Sequence, residues 1–370
     1  MSPNDSKRVA ALAAVVFTMV LLLAGNAMAQ HFTRTDLTAD NSNVSNVPNI
    51  DPNLVNAWGM SRSSGSPWWI ADNGTGLSTL YDGTGLPQSL VVTIPPPKGQ
   101  TGPSAPTGAV FNSFNGAFEV VPGQRAVFLF ATANGTIAGW NPNVDLNNAV
   151  LKVDNFASGA VYKGLAIAMT TAGPRLYASN FLGGQVEVYD GKFHRINHNA
   201  AAFTDSRLPP NYSPLGIQNV GGNIVVAFAK HGPGSEFEIF GAGFGYVDVF
   251  DLNGNLLLRL QHNSTLNAPW GIAQAPGDFG AFSHRLLIGN LGDGTIHAYN
   301  AVSGKLEGTL LDANGAPISI PLLWGISFGS GSAGSGSATD LYFTAGPNFY
   351  GDGHLGKLSP VSSDQRGNSE

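Results

Sequence analysis

The side chains best suited to chemistry follow four apolar runs of the chain: Asp72, Asn180, Lys230 with the adjacent His231, and Asn290. Carboxylate and amide oxygens accept hydrogen bonds and bind hard cations, while lysine and histidine carry charge or protons. Three tryptophans recur before a glycine: Trp58, Trp270 and Trp324. Together these residues predict a polar ligand site with aromatic walls. The alternative is that Asp and Asn cap turns and that the tryptophans pack in the core.

Composition excludes several classes of function. Only 11% of the residues are charged, and the 24 Asp and Glu outnumber the 18 Lys and Arg. A basic stripe that binds nucleic acid is therefore not expected. The chain has no cysteine, which excludes disulfides, thiolate metal sites and cysteine nucleophiles. Signatures for a serine-hydrolase elbow, a zinc protease, a phosphate-binding loop and a dinucleotide fold are absent. No cofactor is evident from the sequence.

The first 29 residues predict a secretory leader. Lys7 and Arg8 precede a 16-residue apolar run, residues 9–24, which is followed by Ala27-Met28-Ala29. A basic start, a short apolar stretch and an A-x-A cleavage site are typical of a Sec-type signal peptide. We therefore expect export to the periplasm or the medium, and no membrane span in the mature chain.

A repeat organises the rest of the chain. Its anchor glycines stand 49 to 56 residues apart, at Gly59, Gly108, Gly164, Gly216, Gly271 and Gly325. After each glycine come a second apolar run, an alternating third run and, in most copies, an Asn-Gly or Asp-Gly turn before a fourth. This pattern predicts an all-β, six-bladed β-propeller with four-stranded antiparallel blades, over residues 30–358. Residues 359–370 are expected to form a polar tail.

The last copy lacks a fourth strand of its own, and the segment His31–Thr38 has a suitable pattern. We expect this N-terminal strand to complete the last blade and close the ring, which removes an open sheet edge. In such blades the start of the first strand and the end of the second lie on one face. The polar residues and tryptophans named above should therefore line the funnel on that face, which also carries Lys163 near the start of an innermost strand.

Several segments resemble a family of exported bacterial proteins that has no assigned activity. The resemblance rests on residues 51–59, 72–81, 245–251, 266–271 and 341–347 and covers almost the whole mature chain. More distantly, the repeat resembles NHL-type and gluconolactonase-type six-bladed propellers. The lactonase resemblance implies a divalent metal such as calcium, held by an acidic residue at the first blade and by Asn and Asp ligands. Here Asn56 stands at that position, and Asp72 is the one obvious carboxylate.

We therefore expect a monomeric protein that binds a small molecule, a glycan or another protein on one face of the propeller. The alternative is a hydrolase or lactonase whose funnel holds Asp72, Asn180, Lys230 and Asn290, with or without a metal bound among them. A binding protein is favoured because catalytic motifs are missing and charge is low.

Overall fold

The computed structural model describes residues 30–197, 199 and 201–361, and the expected leader lies outside them. Almost every regular element is a β-strand, with two single-turn 3₁₀ helices, Phe156–Ser158 and Gly280–Phe282. Within the described residues, no helix combines the length and apolarity needed to cross a membrane.

The strands of the first three blades and the N-terminal segment are β1 (Phe32–Ala39), β2 (Asn49–Ile50), β3 (Ala57–Ser61), β4 (Trp68–Asp72), β5 (Leu77–Tyr81), β6 (Pro87–Thr93), β7 (Pro106–Phe111), β8 (Glu119–Val121), β9 (Gln124–Arg125), β10 (Phe128–Thr132), β11 (Thr136–Trp140), β12 (Val150–Asp154), β13 (Tyr162–Thr170), β14 (Gly173–Asn180), β15 (Gln185–Asp190) and β16 (Arg195–Ile196). Those of the last three blades are β17 (Tyr212–Val220), β18 (Asn223–Lys230), β19 (Gly245–Phe250), β20 (Leu256–Arg259), β21 (Pro269–Gln274), β22 (Leu286–Asn290), β23 (Ile296–Tyr299), β24 (Leu306–Thr309), β25 (Leu323–Phe328), β26 (Leu341–Ala345) and β27 (His354–Pro360).

The strands form six blades in a ring, which confirms the predicted propeller. Blades one and three to five are the consecutive antiparallel sheets β3–β6, β13–β16, β17–β20 and β21–β24. Blade two is β7-β10-β11-β12, with β8 and β9 forming a separate hairpin. The core lies between neighbouring blades: Trp69 of blade one stacks on Phe128 of blade two, with ring centroids 4.3 Å apart.

The N-terminal strand closes the sixth blade, as the sequence predicted. The order in this sheet is β2-β1-β27-β26-β25, and β1 pairs antiparallel with β27 from Phe32–Pro360 to Ala39–His354. The last strand thus includes Ser359 and Pro360, which we had assigned to the polar tail. Because β1 pairs with β27, the ring is closed by hydrogen bonds between the two strands rather than by a covalent link.

The six anchor glycines lie around the propeller axis, where the innermost strands crowd together. A Cβ on Gly271 would come within 2.8 Å of the carbonyl oxygen of Trp324, and one on Gly325 within 2.8 Å of that of Trp58. A Cβ on Gly216 would overlap the carbonyl oxygen of Trp270. The repeated glycine therefore has a steric cause, because each one faces the backbone of the next blade.

Candidate binding site at one mouth of the propeller

A ring of side chains surrounds the axis at one mouth, and each member stands directly before an anchor glycine. We call it the axial ring: Trp58, Thr107, Lys163, Leu215, Trp270 and Trp324. In all six blades the pairing of the two inner strands shifts register at this point. Such bulges redirect a side chain out of the regular pleat.

The three tryptophans of the axial ring contact one another. Trp58 and Trp324 stack with centroids 3.5 Å apart, and the edge of Trp270 meets both, at 6.4 and 5.9 Å. The indole nitrogen of Trp270 donates to the carbonyl of Lys163 at 2.9 Å. The Trp58 indole nitrogen is buried and has no hydrogen-bond partner. The structure thus brings together the three predicted tryptophans and leaves one donor unused.

The backbone before each of these tryptophans has an unusual conformation. Asn56, Ala268 and Leu322, each two positions ahead of a ring tryptophan, have φ values of 49°, 47° and 53°. A left-handed backbone costs roughly 1–2 kcal/mol at a residue with a side chain. Its recurrence at one position in three blades shows that the chain is bent here to direct the tryptophans toward the axis.

Lys163 is the charged member of the axial ring, and its ammonium group is enclosed. Nζ lies 5.1 Å from the centroid of the Trp58 ring, 5.5 Å from Phe181 and 5.7 Å from Phe237. An ammonium group near aromatic faces is stabilised by the ring quadrupoles. Its charge partner is Glu238, whose Oε2 is 3.5 Å from Nζ. The two side chains are only 6% and 3% exposed, so the pair is shielded from water.

Glu238 reaches this site from a loop that covers the mouth. We call residues 232–244, between β18 and β19, the cover loop. The amide of Ile239 donates to the carbonyl of Lys230 at 2.7 Å, and the amide of Gly241 donates to Oδ1 of Asn267 at 2.7 Å. The outer side of the loop is apolar, with Phe237 62% exposed and Ile239 and Phe240 each 40% exposed.

A second segment, between β26 and β27, completes the mouth. Asn348, Phe349 and Tyr350 are consecutive residues with φ values of 55°, 51° and 69°. This turn directs Tyr350 inward, where its hydroxyl donates to Oε1 of Glu238 at 3.1 Å and its ring lies 5.8 Å from that of Trp324. Burial raises the pKa of the Tyr350 hydroxyl, and the Glu238 carboxylate adds to the rise. Phe349 points outward and is 92% exposed.

Three of the predicted polar residues make hydrogen bonds inside their own blades. Oδ2 of Asp72 accepts from the amide and the hydroxyl of Thr79, at 2.9 and 2.8 Å. Oδ1 of Asn180 accepts from the amides of Val161 and Gly183, and Oδ1 of Asn290 accepts from that of Asn267. The bonds of Asn180 and Asn290 fasten the start of the first strand or the turn after the second, as the capping alternative implies, whereas those of Asp72 join the end of the second strand to Thr79 in the third.

The fourth polar position, Lys230, differs because the adjacent His231 contacts a residue that packs around the axial ring. Lys230 places its ammonium 3.9 Å from the ring of Phe244, a residue of the cover loop. His231 packs edge-on against Phe181 at 5.3 Å and its Nε2 lies 2.9 Å from Oγ of Ser213. Phe181 and Leu291, which follow Asn180 and Asn290, belong to the cluster around the axial ring. The side chains facing this cluster thus lie one residue after Asn180, Lys230 and Asn290, since direction alternates along a strand, and of these three only His231 was among the predicted site residues.

The residues at this mouth do not fit a divalent metal. In the part of the chain that the structure describes, no group of three His, Asp or Glu side chains is arranged to hold one. The oxygens of Asn180 and Asn290 that would serve as neutral ligands already accept main-chain hydrogen bonds. Asp72 is fully buried, and burial raises its pKa well above the ordinary value, which opposes the charged form that a metal requires.

Sequence reasoning missed Glu238, Tyr350, Phe181 and Phe237 as site residues. The segment Glu236-Phe-Glu-Ile-Phe240 is visible as an insertion in the fourth repeat, and an acidic residue among aromatic ones was its signal. Lys163 was placed on the correct face but not in the predicted site. Its signal in the sequence was its position directly before an anchor glycine, which it shares with the three tryptophans.

The opposite mouth of the propeller differs from the tryptophan mouth in its lining residues. It holds a cavity of about 240 Å³, whose charged lining residue, Arg62, donates to the carbonyls of Phe328 and Gly329 at 2.8 and 2.9 Å. Between the two mouths the inner strands enclose a small cavity of about 30 Å³. The two faces are therefore separate environments, and the tryptophan face carries the buried charge pair.

Comparison with known proteins identifies two relatives that match most of the chain. The chain is 32% identical over 285 residues to uncharacterized protein R648 of Acanthamoeba polyphaga mimivirus, covering 75% of this chain and 69% of the relative. It is 30% identical over 316 residues to uncharacterized protein L690 of the same virus, covering 83% and 81%. The chain belongs to the family of these two proteins. No protein-family model matches it.

Both relatives are viral, so the bacterial and exported character that the resemblance implied is not shown by them and stays a prediction. Among solved structures, a streptogramin B lyase matches with a TM-score of 0.52 at 14% identity, covering 90% of this chain and 99% of that one. At this identity the likeness shows the fold alone.

Proposed function

We propose that the protein is a binding module that takes a small organic ligand or glycan at the mouth surrounded by the axial ring. The observation that carries this proposal is the buried Lys163–Glu238 pair under aromatic walls, beside an indole donor without a partner. Ligand sites are mostly apolar and aromatic, with a few convergent polar groups that orient the ligand. This mouth has that composition.

Backbone strain supports the same choice of face. Six residues with side chains adopt left-handed conformations around this mouth: Asn56, Ala268, Leu322, Asn348, Phe349 and Tyr350. Such residues persist where the surrounding structure holds them, and they are common at binding sites. The exposed rings of Phe349 and Phe237 extend the aromatic surface outward from the site.

Trp270→Phe tests the proposal, with Trp140→Phe as the matched control. Both indoles donate to a main-chain carbonyl at 2.9 Å, but Trp140 lies on β11, in the third strand of blade two, away from the axial ring. The probes are benzoate, benzyltrimethylammonium and methyl glucoside, titrated by tryptophan fluorescence. At least one probe should bind saturably to the wild type and to Trp140→Phe, and at least fivefold more weakly to Trp270→Phe. Equal weakening in both variants, or no saturable binding of any probe, would contradict the proposal.

A further inference from the structure

Two hydrogen-bond donors contact the Glu238 carboxylate. The Tyr350 hydroxyl donates to Oε1 at 3.1 Å, and Nζ of Lys163 lies 3.5 Å from Oε2. The Trp58 indole N–H is a further donor of the axial ring; the Trp58 ring lies 5.1 Å from Nζ of Lys163, and its nitrogen has no partner. A charged donor, a hydroxyl and an indole together form a receptor for an anion with acceptor oxygens.

Glu238 satisfies this receptor incompletely. Its Oε2 is buried without a hydrogen bond, and 3.5 Å is longer than the ~2.7–2.9 Å of a charge-assisted N–H···O bond. Leaving a buried acceptor without a partner is unfavourable. A carboxylate tied to a loop backbone is limited in how closely it can approach Lys163, whereas a free carboxylate is not.

The cover loop that carries Glu238 is held mainly by hydrogen bonds, such as those of the Ile239 and Gly241 amides to Lys230 and Asn267. Its apolar side chains Phe237, Ile239 and Phe240 are 62%, 40% and 40% exposed, so none of them is a buried core residue. Segments with few buried apolar contacts open at low cost in free energy. Withdrawing Glu238 would leave the three donors facing a space walled by Trp58, Trp324 and Phe181.

We propose that Glu238 occupies the place of the ligand's own carboxylate, and that the site takes an organic carboxylate with a flat or apolar body. This inference rests on the proposed binding function and names the ligand class. The body of the ligand would pack on the tryptophan rings, and its carboxylate would accept from Lys163, Tyr350 and Trp58. A cationic ligand is disfavoured because it would have to lie beside the Lys163 ammonium.

The test compares benzoate with benzamide, a neutral molecule of the same shape, on purified full-length protein by calorimetry. Glu238→Ala should bind benzoate at least tenfold more tightly than the wild type, with little change for benzamide. Glu236→Ala removes an exposed carboxylate from the same loop and should behave like the wild type. Adding Lys163→Met to Glu238→Ala should remove at least tenfold of the gain. Melting temperatures show whether each variant is folded.

Glu238→Gln keeps the shape of the side chain and an acceptor for Tyr350, and should raise benzoate affinity in the same direction even if the alanine variant unfolds. The inference is overturned if both Glu238 variants fold and bind benzoate no more tightly than the wild type. If benzyltrimethylammonium or methyl glucoside binds at the axial ring while benzoate does not respond to Glu238, the proposed function stands and this inference fails. If no probe binds any variant, both fail.

Discussion

At the scale of single residues, a position in a repeat does not determine the role of its side chain. Asp72, Asn180 and Asn290 end the second strands of three blades and fasten local turns. Lys163, at an inner-strand bulge, is instead brought against a loop residue from another blade. At the axial ring the Trp58 indole nitrogen has no hydrogen-bond partner, whereas the unpartnered Oδ1 of Asp72 belongs to a carboxyl whose other oxygen is bonded to Thr79 within blade one.

Asp72 shows how a buried carboxyl affects stability. Burial raises its pKa well above 3.8, Asp51 adds to the rise, and the hydrogen bonds from Thr79 oppose it. A folded-state pKa above the unfolded value means that the folded state binds the proton more tightly, so stability declines as pH rises above 3.8 toward the folded-state pKa.

We therefore expect Asp72→Asn to increase the free energy of unfolding at pH 8 and to reduce its decline between pH 4 and pH 8. The amide oxygen can still accept from Thr79. Asp72→Ala, which removes that acceptor, should lower the free energy of unfolding by about 1–3 kcal/mol. Urea unfolding at pH 4 and pH 8 measures both effects. An asparagine variant less stable than the wild type at pH 8 would contradict the explanation.

At the scale of elements, β1 is the first strand in the chain but belongs to the last blade. It supplies the fourth strand of the sixth blade and anchors that strand with Phe32, which is 1% exposed and packs against Phe279 at 4.8 Å. The amide of Phe32 also donates to the carbonyl of Leu311 in the segment that follows blade five. One strand therefore ties two neighbouring blades together.

Deleting residues 30–38 should cause aggregation or a large loss of stability, because it opens the ring and exposes the edge of β27. Phe32→Ala is the milder variant and should lower the free energy of unfolding by about 3–5 kcal/mol. Thr33→Ala, at an exposed position of the same strand, should change it by less than about 0.5 kcal/mol. Thermal and urea melting compare the three. A deletion variant that melts like the wild type would show that β1 does not hold the ring closed.

At the scale of the whole molecule, the axis limits which residues the repeat can contain. Six innermost strands approach so closely that each anchor glycine faces backbone or side-chain atoms of the next blade. The same crowding leaves a cavity of only about 30 Å³ among the inner strands between the two mouths. Function at the tryptophan mouth thus depends on packing around the full ring.

Gly216→Ala tests this dependence, because the added Cβ would overlap the carbonyl of Trp270. Overpacking of this kind should lower stability by about 1–3 kcal/mol or more, and should weaken any ligand bound at the axial ring. Gly65→Ala is the matched control, since its Cβ would meet no atom within 4 Å. Circular dichroism melting and probe titration report the two effects. Equal melting temperatures for both variants would contradict the steric account.

The sequence by itself determined the number of blades, the anchor glycines and the closing strand. These features follow from local periodicity and from a repeat that occurs six times in the chain. Only the tertiary structure decided which side chains meet at the mouth. The register shifts at the inner strands direct the axial ring residues, and alternation along the second strands put the predicted polar column one residue from the side chains that contact this ring. The contact between Glu238 and Tyr350 joins loops 112 residues apart. No local sequence pattern predicts a contact across that separation, because only closure of the ring brings the two loops together.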